Sequence, residues 1–379
     1  MRSNIHLYPS DFRSESRIMR EARALAGMNI FSHIYLIGAC SADLPKREQI
    51  DPRITLYRLG PRKERFRSAP ARMIWLVCWM GAVLWFCLRH PLACVNAHSL
   101  PVLPLAALIK GLKSCYLVYD THELETETGY SRGLRKRLAS FIERRFIRVC
   151  DRHVFVGQAI ADWYQERYGL TDPMVVYNVP CLSGQIPSDP QGGLRNRLGI
   201  AQNQPIALYQ GLLGQGRGVN VLLEVAALVP EMAIVFLGFG PLEEQVRNAA
   251  AEQANIYFHP RVPPEELLPI TKSADFGLSF IEPVSLSYEL CMPNKMFEYM
   301  HADIPVLVSP TTEQKRLIER FGAGLVACSV SVSDIADCLR LALRADRTAL
   351  QQGCRAATVH YAWENQVDIL RRVHQVLKR

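Results

Sequence analysis

The sequence predicts an α/β protein made of two doubly wound parallel-sheet domains. Two observations carry that prediction. Short apolar runs alternate with helical patterns along nearly the whole chain, which is the order of βα units in a parallel sheet. The alternation stops at 178–193, where Pro180, Gly184, Pro187, Pro190, Gly192 and Gly193 mark a linker, and then restarts. With 379 residues the chain is long enough for each half to bury its own core.

In the first half, strands are expected at 4–8, 32–37, 54–58, 93–97, 114–119, 152–156 and 175–177, with helices at 16–26, 103–111 and 160–167 among the intervening patterns. In the second half, strands are expected at 206–209, 233–237, 256–259, 276–279, 306–309 and 324–327. Helices are expected there at 219–229, 243–252, 265–271, 294–301, 313–320 and 333–344. The expected domains are therefore 1–180 and 194–360, with a cleft between them. In open α/β sheets ligands bind beyond the carboxyl ends of strands, so strand-to-helix loops are where chemistry is sought.

Charge is unevenly placed. Residues 1–175 hold 26 Lys+Arg against 16 Asp+Glu, and residues 176–379 hold 18 against 20, which together give the net +8 of the chain. One basic cluster, Arg58, Arg62, Lys63, Arg65, Arg67 and Arg72, precedes the apolar run Met73–Leu88. That run of sixteen residues is shorter than a membrane span and reads as a buried helix or as one that dips into a membrane surface. A second basic run includes Arg132, Arg135, Lys136, Arg137, Arg144, Arg145, Arg148 and Arg152, interleaved with apolar residues at near-helical spacing. It reads as a solvated helix face or as a contact with an anionic membrane surface. No nucleic-acid partner is expected, because interleaved exposed aromatics and any known binding motif are lacking. The eleven cysteines are scattered with no CxxC pair, which fits reduced thiols in the cytoplasm and no zinc site. The N-terminal residues lack the apolar core of a leader and read as a first strand.

Several stretches carry chemistry. Tyr209–Val219 contains Gly211, Gly214, Gly216 and Gly218 between a strand and a helix, where backbone can approach a phosphate, and Arg217 adds a fixed charge. A glycine-rich surface turn is the alternative. Gly238 belongs to a second strand-to-helix turn, Leu237-Gly238-Phe239-Gly240-Pro241, equally readable as a tight turn. Pro293 opens a helix whose first amides, around Asn294, Lys295 and Met296, suit an anion. Glu298 lies one turn on, where a carboxylate can accept both hydroxyls of a ribose, or simply pair with Lys295 at i,i+3. His98 and His122 each end an expected strand of the first half and are candidates for hydrogen bonding or proton handling.

Taken in order, these elements resemble the family 4 glycosyltransferases of the GT-B fold, in which two Rossmann-like domains face each other across a cleft. The resemblance rests on Tyr119-Asp120-Thr121-His122-Glu123-Leu124, Tyr177-Asn178-Val179-Pro180, Tyr209-Gln210-Gly211 with Arg217-Gly218, Leu237 to Pro241, His259-Pro260-Arg261-Val262, Leu286 to Met300 and Ala302 to Ser309. It implies a retaining hexosyltransferase that moves a sugar from a UDP- or GDP-sugar to a hydroxyl, with no cofactor. By resemblance, Glu298 holds the donor ribose, Arg217 stands at a phosphate-binding lysine, Gly211, Gly238, Arg261, Val262, Asn294, Lys295 and Met296 line the donor site, and His122 contacts the transferred sugar. The family's neighbouring arginine falls at Leu212, and Lys295 is inferred to supply the missing charge. The first glutamate of the family pair falls at Leu290, which leaves Glu282 and Glu289 without assigned roles. Residues 9–16 replace the family's glycine-rich loop. A C-terminal helix over 361–379 is expected to pack back on the first domain. No metal is expected, since the chain has no Asp-x-Asp pair. The acceptor is expected to be a lipid-linked sugar or glycan in polysaccharide biosynthesis, with the enzyme cytoplasmic and peripheral on a membrane. The alternative is a catalytically inactive GT-B protein that binds a partner or tethers to a membrane.

Overall fold

The structure, a computed structural model, describes residues 2–13, 15–129, 133–181 and 186–375. Its contacts divide the chain into one unit of Met1–Tyr177 with Gln366–Arg379 and a second of Asn178–Asn365. Residues 178–193, read from sequence as a linker, thus belong to the second unit. Of that segment, 182–185 lie outside the described residues, as do Arg132 of the basic run and residues 376–379 of the expected C-terminal helix.

The first unit holds an eight-stranded sheet. Its strands are β1 Ser3–Leu7, β2 His33–Ala39, β3 Arg47–Asp51, β4 Ile54–Leu59, β5 Leu92–Ala97, β6 Tyr116–Thr121, β7 Arg152–Phe155 and β8 Met174–Val175. Their order is β3-β4-β2-β1-β5-β6-β7-β8. All pairings are parallel except β3 with β4. The sequence reading missed β3. This edge strand, Arg-Glu-Gln-Ile-Asp, is mostly charged, and charge on an edge strand discourages further pairing. The central strands are buried on both faces, as a parallel sheet under helices requires: every residue of β1 is buried.

The apolar run Met73–Leu88 lies in a helix of 21 residues, Ala69–Arg89, and so is longer than the run suggested. Ser68 caps it by accepting from the Ala71 amide, and Pro70 opens it. By length and composition this helix is apolar enough to cross a membrane. It is not the buried helix that the sequence offered as one reading. Trp75, Trp79, Val83 and Cys87 are buried as a single stripe, and the Trp79 indole donates to Gly38 O of β2 at 2.9 Å. Most of the remaining surface is exposed.

The second unit is a six-stranded parallel sheet in the order β11-β10-β9-β12-β13-β14. The strands are β9 Ile206–Leu212, β10 Ala233–Phe239, β11 Ile256–Pro260, β12 Phe276–Ser279, β13 Val306–Val308 and β14 Gly324–Val326. All six were expected from the sequence. Helix Val219–Ala226 presses Val219, Leu222 and Leu223 onto this sheet, in one apolar cluster with Phe236, Leu278, Ile335 and Leu339. Helix Arg347–His360, which the sequence reading did not place, begins at Asp346, whose carboxylate accepts from the Thr348 and Ala349 amides.

In the first unit, helix Gly133–Phe146 is anchored in an unusual way. Its one fully buried residue is Glu143. The carboxylate accepts from the Tyr168 hydroxyl at 2.7 Å, from the Tyr164 hydroxyl, and at 3.4 Å from both Tyr119 and Thr126. Burial pushes its pKa up, against the pull of those four donors. Glu143→Ala strands these hydroxyls and is expected to destabilise the protein by about 2–4 kcal/mol, whereas Glu143→Gln keeps an acceptor and loses less. Urea unfolding of the two variants measures the difference; equal losses would mean that the acceptor is unimportant.

Candidate functional site

The carboxyl ends of β9, β10 and β11 form one row. Strand register sets Gly238 beside both Gly211 and Pro260. Gly211 has φ +120° and open space where a Cβ would stand, so backbone is exposed at the end of β9. The chain then turns through Gly216 and Gly218, both with positive φ. A Cβ on Gly218 would lie 2.2 Å from Phe280 O, so only glycine fits there. Gly218 caps helix Val219–Ala226, and its amide donates to Glu282 at 3.2 Å. Glu282 therefore holds the glycine turn in shape. Glu289 is engaged elsewhere, where its carboxylate accepts from the Thr312 hydroxyl at 2.9 Å and from the Thr312 amide at 3.3 Å.

Lys295 is the electrostatic centre. It lies in the first turn of helix Asn294–His301 and is only 8% exposed. Its ammonium stands 3.7 Å from the Tyr209 ring centroid and has no hydrogen-bond partner among the described residues. Burial, aided by the nearby Arg217 and opposed by Glu298, lowers its pKa to about 7. Arg217 is half-buried, lies 5.6 Å from the Tyr288 ring centroid and forms no salt bridge among the described residues. Cys291, also close, is pushed up to about 12 by burial and stays an uncharged thiol. Two cations thus converge on the end of β9 with too little negative charge around them.

Glu298 is set in place from beneath. Gln210 donates to its carboxylate, and the Gln210 carbonyl accepts from the Thr271 hydroxyl at 2.8 Å. The Gln210 amide donates to the Tyr299 hydroxyl at 2.9 Å, and that hydroxyl donates on to Leu208 O, also at 2.9 Å. The Tyr299 ring fits because residue 277 is glycine: a Cβ there would lie 2.3 Å from the ring. Sequence reasoning missed Gln210, Thr271, Tyr209 and Tyr299. Gln210 next to Gly211 was the available signal.

Of the expected site residues, Arg217, Lys295 and Glu298 gather around the end of β9. Asn294 is exposed at the start of its helix. Met296 departs from expectation: its amide donates to Pro293 O at 3.0 Å and its side chain is fully buried. It supplies packing, not a free amide. Gly238 departs too. A Cβ there would lie 1.9 Å from Gly211 O, so this glycine permits close strand pairing. Arg261 and Val262 follow directly on β11, with the Arg261 guanidinium 5.0 Å from the exposed Phe239 ring centroid.

In the first unit, His122 follows β6 with 22% of its side chain exposed. His98 Nδ1 lies 3.2 Å from His122 Nε2 and 3.1 Å from the Asp120 carboxylate. His98 Nε2 lies 2.7 Å from His6 Nδ1. One proton pattern satisfies this chain: His6 donates to His98, and the His98 Nδ1 proton is shared between Asp120 and His122 Nε2. His122 then accepts at Nε2 and presents an Nδ1 proton outward. Arg17 pairs with Asp120 at 2.9 Å and with Glu21 at 3.0 Å. Burial alone would raise Asp120, but Arg17 and the histidines outweigh it and hold the carboxyl well below its usual range. Burial pushes Glu21 well up. One guanidinium thus lies between two buried carboxyls. His98, Asp120 and His122 each place a ligand-type atom within 4.8 Å of the others, close enough for a metal ion. The replaced glycine loop at 9–16 holds Phe12, at φ +61°, with its ring seated against Gly38; Ser14 of this loop lies outside the described residues.

Burial, with His98 and Arg17 adding to it, lowers the His122 pKa to about 3, and Asp120 opposes. His122 is therefore expected to stay neutral from pH 5 to 8, as shown by constant imidazole carbon shifts in a histidine-labelled NMR titration. A midpoint near 6.5 would contradict the arrangement.

Comparison with known proteins covers both units. Residues 14–179 match Glycosyltransferase Family 4, and residues 204–345 match Glycosyl transferases group 1. No curated protein matches the chain in sequence. Among solved structures, the sucrose-phosphate synthase of Thermosynechococcus elongatus is similar with a TM-score of 0.81 and 14% identity, over 100% of this chain and 99% of that one. HepE of Anabaena, solved with UDP-glucose, gives 0.72 and 16% over 100% of each chain. WaaG, a glycosyltransferase involved in lipopolysaccharide biosynthesis, gives 0.68 and 16% over 99% of each. With both halves matched in order, and with two parallel-sheet α/β domains as in the GT-B transferases, the chain belongs to the family 4 glycosyltransferases.

Proposed function

We propose that the chain is a retaining, metal-independent hexosyltransferase that uses a UDP- or GDP-sugar. The observation that carries this reading is the buried, unpartnered ammonium of Lys295 beside Arg217, with Glu298 one helical turn further on. A diphosphate supplies the charge that this site lacks, and a carboxylate at 298 accepts from ribose hydroxyls. Arg261 and Val262, directly after β11, are read as further residues of the donor site. UDP is the first choice because the similar HepE binds UDP and UDP-glucose.

When the bond from the anomeric carbon to the diphosphate breaks, negative charge builds on the leaving oxygen. Lys295, Arg217 and the amides of Asn294 and Lys295 stabilise it. The acceptor hydroxyl attacks from the same face, and its proton passes to the leaving phosphate, so no protein nucleophile is assigned. His122, presenting its Nδ1 proton, holds a hydroxyl of the transferred sugar. The His98, Asp120 and His122 cluster is read as hydrogen-bonded, since Arg17 on Asp120 already supplies its positive charge. The proposed acceptor is a lipid-linked sugar or glycan in polysaccharide biosynthesis, reached from the cytoplasmic side of a membrane.

A panel of UDP, GDP, ADP, CMP and dTDP tests the donor site through thermal stabilisation. One nucleoside diphosphate is expected to raise the melting temperature, and Glu298→Ala to weaken its binding roughly 10–100-fold. Chelation is expected to leave both binding and sugar transfer unchanged. No shift at millimolar nucleotide would remove the site, and binding without hydrolysis or transfer would mark an inactive relative.

Lys295 adds a signature of its own. A bound anion raises its pKa from about 7, so binding takes up a proton where the free lysine is neutral, and affinity falls as pH rises above that value. At pH 8, with the nucleotide already fully ionised, calorimetry in buffers of different ionisation enthalpy is expected to show uptake on the order of 0.5–1 proton. Lys295→Met is expected to abolish the uptake; an unchanged value in that variant would place the anion elsewhere.

A further inference from the structure

Three helices of the first unit lie side by side, Ala69–Arg89 against Leu103–Lys113 and that against Gly133–Phe146. The first is apolar on both faces. Trp75, Trp79, Val83 and Cys87 face the domain, while Ile74, Val77, Trp85 and Leu88 recur at helical spacing on the opposite side. Val77 is 63% and Trp85 59% exposed. The second helix adds exposed Leu108 and Leu112. The third is inverted, since it buries Glu143 and turns Leu134, Leu138 and Phe141 outward at 81%, 59% and 67% exposure. Exposed apolar side chains on three adjacent helices mark an interaction site.

Charge selects the occupant. The three helices carry no exposed acidic residue: their one acidic side chain is the buried Glu143. Arg67 and Arg72 stand exposed at the start of the first helix, Arg89 at its end over the Trp85 ring, and Arg137, Arg144 and Arg145 along the third. Apolar side chains ringed by arginine, with tryptophan among them, match the boundary between headgroups and acyl chains of an anionic leaflet. The first helix does not cross that leaflet. It connects β4 to β5, which belong to one sheet with β2 and β1 between them, so both of its ends return to the same layer.

We propose that these three outward faces seat the first unit on an anionic lipid leaflet, with helix Ala69–Arg89 lying in the plane of the interface. This deepens the membrane part of the proposed function and assumes nothing about the nucleotide, whose residues lie in the second unit.

The test is flotation of the full-length protein with vesicles of phosphatidylcholine containing phosphatidylglycerol, against phosphatidylcholine alone. Binding is expected to the anionic vesicles, to fall with salt, and to drop at least tenfold in Val77→Glu/Trp85→Glu and in Leu138→Glu/Phe141→Glu. These substitutions sit on the solvent side, so unchanged thermal melting and nucleotide response are expected as controls. In the bound wild type, bromines placed high on the acyl chain should quench Trp85, and deep ones should not. Unchanged flotation of both variants, or quenching only by deep bromines, overturns the proposal. So does absence of lipid binding, including the case of a dimer that Trp85→Glu dissolves, which would make this face a contact between copies. Lost nucleotide binding with intact flotation would count against the donor site alone.

Discussion

Lys295 is held above the Tyr209 ring, away from water, with Arg217 as a second positive charge nearby. Taking a lone ammonium out of water is unfavourable unless something compensates. The ring face provides part of the compensation and Glu298 another part. The remainder is left open, and the surrounding architecture follows from keeping it open. Glycines at 211, 216 and 218 bring backbone close without filling the space, and Glu282 is committed to the Gly218 amide instead of to the cations. A site left short of negative charge favours an anion over a neutral ligand.

The first unit handles buried charge in the opposite way. Arg17 and Asp120 neutralise each other, and burial lowers the pKa of His6 and of His122. His374, from the C-terminal helix Trp363–His374, joins the same polar seam through Asn96 at 3.3 Å. Every member of this seam has a protein partner for at least one polar atom, so it acts as a preformed scaffold for the single edge that reaches solvent, His122. One unit is thus electrostatically closed and the other open, as expected if one orients a neutral sugar and the other captures a charged carrier.

How far the sequence could be read depended on what each signal measures. Strands buried on both faces announce themselves as apolar runs, so all but β3 of the longer strands were legible. β3 was not, because an edge strand made of Arg47, Glu48, Gln49, Ile50 and Asp51 carries no apolar signal. Helix Ala69–Arg89 was legible as apolar but not as exposed, because hydropathy cannot tell a face turned to the core from one turned outward. The charged residues Arg217, Lys295 and Glu298 stood out through position, Arg217 in a strand-to-helix loop, Lys295 in the first turn of a helix and Glu298 one turn further on. Their supports were not. Gln210, Thr271 and Tyr299 come from three separate elements, and only the fold brings them together. Met296 and Gly238 were over-read for the converse reason: proximity in sequence to a binding loop does not reveal that an amide or a Cα is already committed to packing.

The missing side chain at Gly277 has a consequence beyond its strand. The Tyr299 ring occupies the space a Cβ would take, and the Tyr299 hydroxyl fixes the backbone at Gln210, whose side chain in turn aims the Glu298 carboxylate. The aim of the Glu298 carboxylate is thus inherited from an empty volume on a neighbouring strand. Position 277 lies on β12, in a different element from Glu298, yet a side chain there is expected to disturb that carboxylate through Tyr299 and Gln210. In a family tree of this enzyme it would drift only together with 299 and 210, as one heritable unit.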